Sequence, residues 1–194
     1  SEFERRLSAI RRECARVYVI DNGTSAAALP ALRKAVKRAK VRLIELGQNT
    51  GIAHAQNVGL RHAFAAGAEG AFLFDHDSVP QPGFAANMRI AYDEYLARFG
   101  QLAIVGSRVF DVNKREFARH IVYARFGFAR RQVREGQTET QAMMAVPSAA
   151  IHQRGEVRKK IALQASMVSV DTHLARRLTA PWACQSRTIG PNRW

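Results

Sequence analysis

The sequence predicts an α/β protein built on a mostly parallel sheet with helices on both faces. Two observations carry that expectation. Over residues 1–107, short β-branched apolar runs alternate with longer stretches of helical periodicity, the signature of parallel strands joined by crossover helices. Three of the strand-like runs then end in polar clusters, Asp21-Asn22-Gly23, Gln48-Asn49-Thr50 and Asp75-His76-Asp77. Open α/β sheets bind ligands beyond the carboxyl ends of their strands, so this convergence predicts a site as well as a fold.

Taken in order, Phe3, Leu7 and Ile10 recur at helical spacing in FERRLSAIRREC and predict an opening helix. VYVI (Val17–Ile20) is a short buried strand ending in a turn that leads to a helix start. ALPALRKAVKRA is a second helix with one strongly basic face, and VRLIEL (Val41–Leu46) is the next strand. IAHAQNVGLRHAFAAG is a third helix, with Ile52, Ala55, Gly59 and Ala63 expected along its packed side. AFLF is a strand, FAANMRIAYDEYLARFG a helix, and LAIVG (Leu102–Gly106) a further strand. Beyond it, ARHIVYARFGFARRQV reads as a strand pair, and residues 132–160 as a polar, basic loop. A doubly wound sheet ordinarily opens with a strand. This chain opens with a helix, so a strand is expected upstream and absent from this sequence, with SEF read as a cloning remnant.

Length and composition fit one domain of 194 residues, 47% hydrophobic, able to bury a core without disulfides or metals. Within it, residues 1–107 read as a nucleotide-binding half and residues 108–194 as a basic half. Cys14 and Cys184 are far apart, lack zinc-site spacing, and read as small buried hydrophobes of a reducing compartment. No apolar run is long enough to cross a bilayer, so a soluble, cytoplasmic protein is expected. The net charge is +14, of which +10 falls in residues 108–194. A field of that sign attracts nucleic acid, phosphorylated substrates or an anionic membrane, although an arginine-rich solvated surface would carry the same charge. Aromatic residues are only 8% and do not interleave with the basic runs, which argues against nucleic acid.

Two carboxylates one residue apart at a strand end suit a hard divalent cation. Mg²⁺ and Mn²⁺ prefer oxygen ligands and commonly take one or two carboxylates with substrate phosphates. Such a metal neutralises charge as a phosphate departs. Asp75 and Asp77 are therefore the candidate metal ligands, and His76 reads as a spacer between them. No glycine-rich, lysine-bearing phosphate loop lies near the chain's start, which disfavours a nucleotidyltransferase.

VYVIDNGTS and QNTGIAHAQNVGLRHAFAAGAEGAFLFDHDSVPQPGF, with the spacing between them, resemble the family 2 glycosyltransferases. The nearest likeness is to bacterial rhamnosyltransferases, which commonly show N-x-G-I-A-x-A-x-N-x-G followed by D-x-D-S-x-P. The match is dense from Val17 to Met88 and thin elsewhere. It implies a GT-A fold and an inverting transfer of a sugar, rhamnose from dTDP-rhamnose in the nearest likeness, from a nucleoside-diphosphate (dTDP- or UDP-linked) donor. The implied acceptor is a saccharide or lipid-linked saccharide in cell-surface polysaccharide synthesis, at the cytoplasmic membrane face.

Carried over by residue, Asp21 falls where the family binds the nucleotide base, and Asn49, Gly51 and Asn57 fall on the matching loop and helix. Asp75 and Asp77 fall on the metal-binding triplet. Capping and local packing are the alternative roles for Asn49 and Asn57, tight-turn geometry for Gly51, and turn formation for Asp21. DTHLARR (Asp171–Arg177) matches the family's D-T-E-W-C-x-R segment at its first two positions and its last, with His173 in place of glutamate. Asp171 is thus the candidate general base, or else the N-cap of a helix following SMVSV. The sequence leaves oligomeric state open, a homodimer included.

Overall fold

The computed structural model describes residues 1–99, 104–124, 127–131, 141–142, 150–153, 167–170 and 183–186. In chain order the elements are α1 (Glu2–Glu13), β1 (Arg16–Asp21), α2 (Leu29–Ala39), β2 (Arg42–Glu45), α3 (Ile52–Ala65), β3 (Gly70–Phe74) and α4 (Phe84–Phe99). There follow β4 (Ile104–Ser107), β5 (Phe110–Asp111), β6 (Glu116–Phe117), β7 (His120–Ala124), β8 (Gly127–Arg131), β9 (Gln141–Ala142), β10 (Ala150–Gln153), β11 (Met167–Val170) and β12 (Ala183–Ser186). The protein is therefore mixed α/β. It divides into two compact units: residues 1–82 with 180–194, and residues 83–179.

In the first unit four parallel strands lie in the order β2-β1-β12-β3. The alternation along β1 explains the layers. Val19 points into a cluster with Phe3 and Leu7 of α1 and Leu32, Ala35 and Val36 of α2. Tyr18 and Ile20 point the other way, into Ala55 and Ala63 of α3 and Ala68 after it. Successive strand side chains face opposite sides, so one strand anchors helices on both faces of the sheet. β3 is buried along its whole length, as expected of a parallel strand covered twice.

Local chemistry sets the helix boundaries. Ser1 caps α1: its hydroxyl accepts from the Glu4 N–H, and the Glu4 carboxylate reaches back to the Ser1 amine. Pro30 occupies the first turn of α2, where its missing N–H costs nothing. Lys40 ends α2 in the left-handed region, at φ 55°.

Three expectations need correction. Ile52 is not on the packed side of α3; it is 37% exposed, and Leu60 joins Ala55, Gly59 and Ala63 on the buried face. Ile52 is the helix's first residue and lies just beyond Gly51, where the loop after the sheet edge begins the helix. The stretch 132–160 is not loop throughout, since its described residues include β9 and β10. Cys14 is not a free thiol either. It is buried and disulfide-bonded, and Cys184 is the chain's only other cysteine. The two are remote in sequence, but β12 pairs with β1 so that Cys184 stands in register with Val17, three residues past Cys14. Disulfides persist in oxidising surroundings, so the cysteines give no ground for a reducing compartment.

In the second unit β4 is flanked by antiparallel β10 and parallel β11, and β11 pairs with antiparallel β9. α4 buries Phe84, Met88, Ala91, Tyr92 and Tyr95, a stripe at helical spacing. β5 and β6 form one small hairpin, and β7 and β8 another, the strand pair expected from the sequence. Among the described residues no helix is long and apolar enough to cross a membrane.

Candidate functional site

The carboxyl ends of β1, β2 and β3 share one edge of the first unit's sheet. Val19 of β1, Ser186 of β12 and Phe74 of β3 stand side by side in the register. Asp21 lies two residues past Val19, and Asp75 one residue past Phe74. Their strands are two places apart, a separation of about 10 Å at the usual strand spacing.

At the tip of β1, Asp21 is 3% exposed. Its carboxylate accepts the Thr24 N–H at 3.0 Å, and its main-chain carbonyl accepts the Leu46 N–H at 2.9 Å. The Thr24 hydroxyl beside it is buried with no hydrogen-bond partner among the described residues. Next to Asp21, Asn22 ties the β1 loop to the β2 loop. Its side-chain oxygen accepts from the Thr50 N–H at 2.7 Å and the Thr50 hydroxyl at 3.0 Å, while its amide donates to Asn49 Oδ1 at 3.0 Å. Asn49 Oδ1 also accepts the Gly51 N–H at 3.0 Å. Gly23 makes the approach of the two loops possible. At φ +97°, a Cβ there would stand 2.6 Å from the Asn49 nitrogen and 2.9 Å from the Gln48 carbonyl carbon.

Charge around Asp21 is partly compensated. Arg33 makes a two-pronged pair with Glu45, at 2.8 and 2.7 Å. Hydrogen bonding to Arg33 holds the Glu45 carboxyl below its usual range. The same pairing raises the Arg33 guanidinium, and Asp21 adds a smaller contribution.

At the tip of β3 the chain turns through Asp75–Ser78, closed by the Ser78 N–H donating to the Asp75 carbonyl at 3.1 Å. Asp75 is half-buried and Asp77 exposed. Arg6 of α1 donates to the main-chain carbonyl of His76 at 3.5 Å and pairs with Glu2. His76 thus serves through its backbone. Among the described residues no three of His, Cys, Asp and Glu gather as a metal cluster.

Of the residues singled out from the sequence, Asp21, Asn49 and Gly51 therefore meet in one knot of two loops, with Asn57 half-buried in the second turn of α3. Asp75 and Asp77 occupy the next tip along the edge. Asp171 lies outside the described residues. Sequence reading missed Asn22 as the hub and Arg6 as the strut beneath the acidic turn. The only signal for Asn22 was its place in a polar strand-end cluster, and for Arg6 there was none. Comparison with protein-family models, with curated proteins and with solved structures finds no match.

Proposed function

We propose that this chain is a glycosyltransferase domain of the GT-A type, resembling family 2, that transfers a sugar from a nucleoside-diphosphate donor with inversion. The observation that supports this reading is the shared carboxyl edge: a buried aspartate on β1 and an acidic turn on β3, about 10 Å apart. That spacing suits a ligand with a neutral, hydrogen-bonding end and a charged end. The nucleotide base belongs at Asp21 and Thr24, where a carboxylate and a buried hydroxyl with no partner among the described residues offer complementary polar groups. The diphosphate belongs toward Asp75 and Asp77. The first turns of α2 and α3 carry no acidic residue, so they do not repel an anion.

The residues present fit Mg²⁺ or Mn²⁺ by type: two carboxylates on a tight turn, one of them exposed, are a hard oxygen donor set. When bound, the metal would supply charge neutralisation at the departing diphosphate. The chain's own contribution is positional. Arg6 steadies the acidic turn, and the Asn22–Asn49–Thr50 knot fixes the base-side loops. Asp171 is the proposed base for the acceptor hydroxyl. Rhamnose from dTDP-rhamnose is the donor suggested by the resemblance, and a saccharide or lipid-linked saccharide the acceptor.

Calorimetric titration with dTDP and with UDP, each with and without Mn²⁺, tests the reading on the wild type and on Asp77→Ala. Metal-dependent binding should weaken at least about tenfold in the variant, the loss expected of a direct ligand. Asp77 is exposed, so the variant should fold normally. Nucleotide binding indifferent to Mn²⁺ and to Asp77 would overturn the metal assignment. No binding of either nucleotide would overturn the donor site.

A further inference from the structure

Outside the edge just described, the most unusual surface is the β5–β6 hairpin. Phe110 pairs with Phe117 and Asp111 with Glu116, and Val112–Arg115 form the loop between them. Exposure rises toward its tip. Val112 is 75% exposed and Phe110 48%, two of the four large exposed hydrophobic residues among those described. Single exposed apolar residues are ordinary, but these two sit on one four-residue loop and its first strand.

The loop is built, not slack. Asp111 Oδ1 accepts the N–H groups of Asn113 and Lys114 at 2.9 and 3.2 Å, and the Lys114 ammonium lies 3.7 Å from its other oxygen. Phe110 and Phe117 meet edge to face at 5.2 Å, and the Arg108 guanidinium covers the Phe117 ring at 3.8 Å. Arg115 stands at φ 53°, in the left-handed region where hairpin loops favour glycine or asparagine. An apolar tip is thus held out rigidly, with basic side chains at Lys114, Arg115 and Arg119, all exposed. Of the hairpin's two acids, Asp111 is occupied by its own loop.

We propose that the Phe110–Phe117 hairpin docks on an anionic membrane, setting Val112 and Phe110 at the boundary of headgroups and acyl chains and Lys114, Arg115 and Arg119 against lipid phosphates. Charge complementarity selects the partner, because a protein of net charge +14 is drawn to an anionic leaflet. The aliphatic tip selects lipid over nucleic acid. An exposed valine gains nothing from a phosphate or a base, whereas it gains by leaving water for the acyl boundary. This inference is independent of the nucleotide-sugar reading.

The test is vesicle flotation of the whole chain. Phosphatidylcholine vesicles with about 30% phosphatidylglycerol are compared with phosphatidylcholine alone, for the wild type, Val112→Asp and Arg115→Gly. The wild type should bind the anionic vesicles, Val112→Asp about tenfold more weakly, and Arg115→Gly about fivefold more weakly. Arg115→Gly should also melt higher than the wild type, so its loss of binding cannot be a loss of folding. Absence of wild-type binding to anionic vesicles overturns the proposal, as does unchanged binding by Val112→Asp. Competition by random duplex DNA that is equally strong against wild type and Val112→Asp, with vesicle binding indifferent to Val112, would identify a nucleic-acid surface instead.

Discussion

Asn22 and Gly23 do more to shape the candidate site than the acidic residues that advertise it. Asn22 is 6% exposed and spends its side-chain oxygen and an amide hydrogen on the second loop, so the two loops hold as one piece. Gly23 is the condition for that contact. In Gly23→Ala the new methyl would meet main-chain atoms, which cannot rotate away, at a φ that side chains rarely adopt. We expect a loss of about 2–4 kcal/mol in urea unfolding, with nucleotide affinity falling as the loops part. A variant as stable as the wild type would mean that the loops re-register without cost. The sequence showed Asp75 and Asp77 plainly, because two carboxylates after a buried strand form a local pattern. It could not show which atom Asn22 would meet, because that partner is set by the pairing of β1 with β2, 28 residues away at Thr50.

The elements themselves were largely readable. Seven runs over residues 1–99, four helices and three strands, stand close to where periodicity placed them, because each helix packs a stripe and β1 and β3 bury continuous runs, whereas β2 is only half-buried at Leu43 and Ile44. Ile52 departs from the pattern because periodicity describes a face and not where the opposing surface stops. Helix ends carry a second kind of information. Lys40 closes α2 in a conformation that costs a non-glycine residue about 1 kcal/mol, so Lys40→Gly should raise stability by about that amount. Equilibrium unfolding measures it. A decrease would show that the lysine side chain contributes something its exposed position does not suggest.

Strand order was the part of the whole molecule that no local pattern could reveal. The alternation of strands and helices announced a parallel sheet, but not that β12 would lie between β1 and β3. With β12 came the correction for Cys14, since the pairing of β12 with β1 sets Cys184 opposite Val17. Reduction with dithiothreitol should therefore lower unfolding stability by about 2–4 kcal/mol, and Cys14→Ser should reproduce the loss. An unchanged midpoint would show that the bond adds nothing to the first unit.

The position of β12 also has a consequence for how the protein is made. On a ribosome, β1 and β3 emerge early, whereas the strand that joins them belongs to residues 180–194. Roughly a hundred residues separate the two parts of that unit, which at about 5–20 residues per second is a wait of about 5–20 s. Throughout that interval the facing edges of β1 and β3 lack their partner, and unpaired strand edges invite pairing with other chains. Nascent chains halted before Ala183 should therefore stay protease-sensitive across Arg16–Phe74 and recruit chaperones, and should become resistant once Ser186 has cleared the exit tunnel.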